Sequence, residues 1–291
     1  MRITSVYDPL LILGRGVGQV MFQNNALSGG LMLLGIFLNS WQMGALAVGG
    51  NIISTLTAYF SGYGRDDIKN GLYGFNGTLV GIAVGVFMQL TWGALLLMAV
   101  ASCVSTWIAR LFSLQHTLPG FTAPFILAVW MLLGTCVGFM PHLLLAAESV
   151  GHVGGSVDCL RVFGTGIGQV MFQGSVLAGL LFLAGILVNS RMAAAYTVWG
   201  VFLPVPFAML LGTDAETLNM GLMGYNGVLC AIALGDNTWK GCVWASCSVL
   251  LSVVLQIIGM EWGVTTLTAP FVLSVWMTMG IRKLVDSVIV G

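Results

Sequence analysis

Residues 16–40 read GVGQVMFQNNALSGGLMLLGIFLNS, and residues 166–190 read GIGQVMFQGSVLAGLLFLAGILVNS. Fifteen of these 25 aligned positions are identical, at an offset of 150 residues. GLYGFNGTLVGIAVG at 71–85 and GLMGYNGVLCAIALG at 221–235 keep that offset and share nine of 15 positions. TAPFILAVWM at 122–131 and TAPFVLSVWM at 268–277, offset by 146, share eight of ten. Three matched blocks in one order make the chain a duplicated half-molecule, so any function has to be read from both copies together.

Composition fixes the solvent. The chain of 291 residues is 58% hydrophobic and 7% charged, against about 25% charged residues in soluble domains. Ten basic and ten acidic side chains cannot cover a water-soluble fold of this size. The chain therefore reads as an integral membrane protein in a lipid bilayer. A span takes about 20 apolar residues, so about ten spans fit. The formal net charge is zero, which argues against a nucleic-acid partner. Met1–Pro9 has no apolar core ending at a small-residue cleavage site, so insertion by the first apolar segments is expected. The six cysteines form no CxxC pair and no metal-ligand spacing. Cys103, Cys136, Cys230 and Cys247 lie within apolar runs, where cysteine acts as a small hydrophobe.

Apolar segments run over 10–22, 27–39, 42–60, 71–90, 92–109 and 121–140, and again over 162–172, 177–189, 192–211, 220–235, 241–260 and 267–281. Polar stretches such as SGYGRDDIKN at 61–70 read as loops. The domain reading is a first membrane repeat over 1–140, a linker over 141–161 and a second repeat over 162–291. Short segments interrupted by Gly, Asn or Pro at matching places in two halves point to broken helices around a midplane site. With one piece per half re-entrant, five spans remain, and an odd number sends the second copy into the membrane upside down. The expected fold is an all-α integral membrane protein whose homologous halves are inverted repeats, with about ten transmembrane helices plus two re-entrant half-helices. Lys and Arg are spread over both faces and set no orientation.

The repeated blocks contain no Asp, Glu, Lys, Arg or His. Coupled carriers keep such groups in the membrane as relays, and an intramembrane hydrolase needs a base or metal ligand. Passive movement of a neutral solute is expected, with no enzymatic activity, no metal and no cofactor. The blocks do hold the neutral polar pairs Gln19/Gln169, Asn39/Asn189, Asn76/Asn226 and Thr122/Thr268. A buried amide without a partner costs several kcal/mol, so each is paired between helices or faces a wet cavity. Interhelical pairing is the reading for Asn39 and Asn189. Pore lining is the reading for the Gln and Thr pairs, which flank aromatic residues and helix breaks. LPGFTAPF at 118–125 reads as extended backbone, then a helix with Thr122 as N-cap and Pro124 in the first turn. Val264 and Thr265 replace the Leu-Pro in the second copy.

The glycines of GRGVG at 14–18 and GTGIG at 164–168 read as close helix packing, since no βαβ context supports a dinucleotide site. His142, Glu148 and His152 fall in the linker and read as solvated rather than as a metal cluster.

GQVMFQNN-L-G, GLYGFNGTLVG and LPGFTAPF, each echoed in the other half, resemble the urea transporter family, bacterial urea channels among them, over residues 9–283. The resemblance implies a channel-type uniporter for urea, in inverted five-span halves with a re-entrant helix each, assembled as a homotrimer in a bacterial inner (plasma) membrane. Carried over by position, the pore acceptors are Gln19, Gln169, Thr122 and Thr268. The slot is lined by Phe22, Phe75, Leu79, Leu229, Val170 and Tyr225. The family has Phe at that last place, and the added Tyr225 hydroxyl either hydrogen-bonds urea or turns outward. The path runs in a narrow pore between the repeats. The competing reading is a channel for another small neutral solute: a short amide, ammonia or water.

Overall fold

The computed structural model describes residues 9–115, 117–146 and 155–290. These residues are almost entirely helical and fall into two compact units, Met1–Ser149 and Val150–Gly291. An isolated bridge between Met88 and Leu144 is the one extended pairing among the described residues.

The first unit contains α1 (Pro9–Gln19), α2 (Ala26–Asn39), α3 (Trp41–Phe60), α4 (Arg65–Lys69), α5 (Gly74–Phe87), α6 (Trp92–Leu114) and α7 (Ala123–Phe139). The second repeats the order as α8 (Cys159–Gly168), α9 (Val176–Asn189), α10 (Arg191–Phe202), α11 (Pro204–Leu210), α12 (Ala215–Asn219), α13 (Tyr225–Leu234), α14 (Trp239–Glu261) and α15 (Ala269–Val290). The polar stretch expected as a loop at 61–70 winds into the short helix α4, and its counterpart in the second unit into α12. The single continuous helix α3 of the first unit corresponds to α10 plus α11 in the second. There Pro204 and Pro206, which lack backbone N–H groups, interrupt the ladder at Leu203.

Helix ends follow local chemistry. Asn25 Oδ1 accepts from Leu27 N at 2.8 Å and Ser28 N at 3.2 Å and starts α2. Ser40 closes α2 through its N–H to Ile36 O and opens α3 by accepting from Met43 N, so the corner uses one residue. Ser190 does both between α9 and α10. These short polar side chains satisfy the donors that a helix start leaves over.

Glycine sets how closely the helices cross. A Cβ on Gly50 of α3 would lie 2.0 Å from Gly77 O of α5, and one on Gly29 of α2 would lie 1.7 Å from Gly14 O of α1. Gly200 against Gly227 and Gly179 against Gly164 repeat both crossings in the second unit. The expectation of glycine-mediated packing for GRGVG and GTGIG holds.

Among the described residues, four helical stretches are long and apolar enough to cross a bilayer: Trp41–Phe60, Trp92–Leu114, Arg191–Leu210 and Trp239–Glu261. Cys159–Met171 and Val176–Asn189 make a further span if taken together, bent by 72° at their break. With a rise of about 1.5 Å per residue, the 14 residues of α5 and ten of α13 cover roughly 21 and 15 Å, short of a core about 30 Å thick. Trp41, Trp92 and Trp239 open three of the long helices and are 70–88% exposed. Exposed indole at helix ends is the pattern of a membrane–water interface.

Residues 141–145, part of the expected linker, pack on the first unit. Leu145 N donates to Phe87 O and Gln89 N to Leu143 O. At the linker's other end Asp158 caps α8 by accepting from Leu160 N and Arg161 N. His142 lies in the short turn Pro141–Leu143, while Glu148 and His152 lie outside the described residues. Among the described residues no group of three His, Cys, Asp or Glu side chains is placed to hold a metal. Cys136 and Cys230 are buried as expected, Cys103 is half-buried, and Cys247 is exposed on α14.

Candidate functional site

Among the described residues, four other than glycine have positive φ: Phe22 (62°), Phe121 (44°), Phe172 (58°) and Leu267 (50°). They fall two per unit at matched positions, one after α1 or α8 and one before α7 or α15. For a bulky side chain this conformation costs roughly 1–2 kcal/mol, and such strain persists where the surroundings enforce it, often at functional sites. Every predicted acceptor lies within three residues of one of the four.

In the first unit, α1 ends at Gln19 and the chain reverses through Phe22, with Phe22 N donating to Gln19 O and Gln23 N to Gly18 O. Gln19 Nε2 donates to Asn70 O at 2.9 Å. A carbonyl only accepts, so the amide's NH2 must face Asn70, and Gln19 Oε1 is left as an acceptor with no partner among the described residues. One turn earlier Arg15 Nη1 donates to Lys69 O at 3.1 Å. The second unit makes the matching tether with Thr165 Oγ1 to Asn219 O at 2.9 Å. Gln169 is half-buried like Gln19 and its side chain makes no hydrogen bond among the described residues. Arg15 went unremarked in the sequence because it stands one residue before the repeated block.

The turn before α7 differs from the expected extended backbone. Ala123 N bonds Gly120 O at 2.9 Å around the left-handed Phe121, and Ala269 N bonds Thr266 O around Leu267. Pro124 takes its expected place in the first turn. Thr122 occupies the N-cap position, yet its side chain makes no capping bond, because its φ of −91° and ψ of 7° depart from the extended cap geometry. The cap comes from another helix: Asn76 Oδ1 accepts from Phe125 N at 3.1 Å, and Asn226 Oδ1 from Phe271 N at 3.1 Å. Asn76 and Asn226 are thus interhelical partners.

Phe22 and Phe121 meet edge to face, with centroids 5.9 Å apart and planes at 84°. This brings the end of α1, with Gln19, to the turn that carries Thr122. Phe75, half-buried, stands beside the capping Asn76 at the start of α5, and Leu79 follows one turn on. In the second unit Gln169–Met171 packs against α13, which carries Tyr225 and Leu229. Leu79, Leu229 and Val170 are 0% exposed, whereas Phe22 and Phe75 are half-buried. Thr122 and Thr268 are both 2% exposed. The sequence left two roles for the Tyr225 hydroxyl, and the structure has it occupied within its own unit. It donates to Leu267 O at 2.6 Å and lies 3.1 Å from Gln256 Oε1 and 3.3 Å from Thr266 Oγ1. Gln256, a lone amide in an apolar run, was passed over in the sequence. An apolar groove of about 430 Å³ between α1 and α3 is lined by Leu10, Leu13, Ile52 and Leu56 and includes none of the predicted site residues.

Two carboxylates outside the long helices are held down by local hydrogen bonds. The Thr217 backbone N–H and then its hydroxyl hold the Asp214 carboxyl below the usual range. The Thr238 hydroxyl and N–H do the same for Asp236.

A family model described as "Urea transporter" matches residues 10–283. Among curated proteins, Urea transporter 1 of Rattus norvegicus is 31% identical over 245 residues, and that of Mus musculus 31% over 244. The Ovis aries protein is 30% identical over 244 residues. Each alignment covers 78% of this chain and 64% of the relative, so the chain spans a little under two thirds of the length of the curated relatives it matches.

Proposed function

The chain belongs to the urea transporter family, and from that premise we propose that it carries urea passively across a membrane through a narrow, channel-like path to which both repeats contribute. The observation that carries this reading is the orientation of Gln19: its NH2 is tied to Asn70 O, and its carbonyl oxygen is left to accept. Urea is flat, neutral and strongly hydrated, with four N–H donors and one carbonyl. To enter a narrow path it exchanges water for protein acceptors, and neutral acceptors suffice. Gln19, Gln169, Thr122 and Thr268 supply them. The Phe22 and Phe75 rings form a slot that passes planar molecules, with the Tyr225 ring as the matching face in the second repeat. Val170, Leu79 and Leu229 have no exposed surface and belong to the driest stretch, where the water has already been replaced. Selectivity then comes from shape and hydrogen-bond matching.

The finer architecture is part of the same proposal. Each repeat contributes five crossings and a re-entrant half-helix, the second repeat is inverted, and three copies assemble in a bacterial inner membrane with one path each. The bend of 72° between α8 and α9 and the short α5 and α13 supply the broken elements that such a path requires.

Stopped-flow light scattering of proteoliposomes under gradients of urea, methylurea, ammonia and an impermeant osmolyte tests the reading. Urea permeability should rise well above that of empty liposomes. A rise confined to water or ammonia would overturn the assignment in favour of another neutral solute.

A further inference from the structure

The two units build the turn before α7 and α15 with different chemistry. In the first unit Pro119 and Gly120 precede Phe121, and Gly120 packs so closely that a Cβ would lie 2.9 Å from Phe112 Cβ. In the second unit the same places hold Thr265 and Thr266 before Leu267. Nothing in that backbone restricts the chain as proline does, yet Leu267 adopts the same left-handed conformation as Phe121.

Two further differences fall at the same spot. Phe75 becomes Tyr225. Ala109, the eighteenth residue of α6, becomes Gln256, the eighteenth of α14. With Thr266 in place of Gly120, the Tyr225 hydroxyl has Gln256 Oε1 and Thr266 Oγ1 within hydrogen-bond distance. Phe271 N donates to Asn226 Oδ1, which turns Asn226 Nδ2 towards Gln256 Oε1 at 3.2 Å. Tyr225 gives its single proton chiefly to Leu267 O, the shorter contact, with Gln256 Oε1 and Thr266 Oγ1 beside it. In the first unit, where Ala109 offers nothing, Asn76 Nδ2 is buried without a partner. We propose that Tyr225, Gln256 and Thr266 form a polar clamp that holds the Leu267 turn and so presents Thr268, replacing the Pro-Gly of the first repeat. The Tyr225 hydroxyl positions the turn and is not a hydrogen-bond ligand of urea, since its proton is spent on Leu267 O, while the ring keeps its place in the slot. The part played by Thr268 rests on the function proposed above.

The test uses the full chain with two readouts. Hydrogen–deuterium exchange of the amides at 264–272 reads the clamp, and urea flux in proteoliposomes reads its consequence. Tyr225→Phe should speed exchange of that segment and lower urea flux about three- to tenfold, the worth of roughly one hydrogen bond. Gln256→Leu should do the same, and the two should not add, because they disable one device. Grafting the first repeat's solution, Thr265→Pro with Thr266→Gly, into Tyr225→Phe should slow exchange again and restore flux to within about twofold of wild type. A ligand hydroxyl could not be replaced by proline and glycine outside the contact, so failed rescue of flux in a chain whose exchange has recovered would make Tyr225 a urea ligand and overturn the proposal. Unchanged exchange in Tyr225→Phe would overturn the clamp itself, and unchanged flux would overturn its part in conduction. Thr268→Val separates the premise: full flux in that variant removes Thr268 as an acceptor, while the exchange data still judge the clamp.

Discussion

Asn76 and Asn226 make the same interhelical cap in different company, which allows a matched perturbation. Asn76→Ala strips the acceptor from Phe125 N, and Asn226→Ala strips it from Phe271 N. A buried N–H left unsatisfied costs about 1–3 kcal/mol, and the small void left by truncation is common to both variants. The other half of each amide is where they part. Asn76 Nδ2 is already buried without a partner, so truncation removes one unsatisfied group while creating another, and the two largely offset. Asn226 Nδ2 bonds Gln256 Oε1 at 3.2 Å, and truncation loses that bond as well. Asn226→Ala should therefore be the more damaging of the pair by about 1–3 kcal/mol. Reversible unfolding in mixed detergent–SDS micelles, followed by tryptophan fluorescence, measures the difference. Equal losses, or a larger loss for Asn76→Ala, would refute the hydrogen-bond accounting.

Thr122→Val and Thr268→Val keep shape and remove a hydroxyl; each should raise the barrier to urea by about 1–3 kcal/mol, up to roughly a hundredfold in stopped-flow rate, and unchanged flux in both would remove these acceptors. Phe75→Ala should admit bulkier amides while urea still passes, and retained exclusion of those amides in folded protein would take Phe75 out of the constriction. Gly50→Ala puts a methyl 2.0 Å from Gly77 O, so α3 and α5 must separate; this costs several kcal/mol, and wild-type stability in the same unfolding assay would contradict the crossing. With no ionisable side chain in the repeated blocks, a proton ionophore or an imposed membrane potential should leave initial urea flux unaltered; dependence on either would reveal a coupling group, with Arg15 the first to examine.

Sequence alone determined the duplication, the membrane setting and the helix breaks after α1 and α8 and before α7 and α15, while the break at Leu203 fell inside a run read as continuous. Each of these depends on composition or on neighbours within a turn or two. The glycines of GRGVG mark a close crossing, because a Cβ on Gly14 would lie 2.8 Å from Ala26 O. The resemblance of the repeated blocks carried the family. What tertiary structure alone decided is which distant group completes each local feature. Thr122 stands where a capping residue belongs, but the acceptor for Phe125 N comes from Asn76, 49 residues away. The left-handed conformations of Phe22 and Phe121 have no signature in residue type, since only their packing on each other and the hydrogen bonds around them hold such bulky residues there. The chemistry of Tyr225 was open in the sequence because a hydroxyl takes its role from whatever faces it. The structure puts Leu267 O and Gln256 there, 42 and 31 residues along the chain. Periodicity and capping rules see only neighbours in sequence, and a hydrogen bond between helices is fixed by which faces the packed glycines allow to meet.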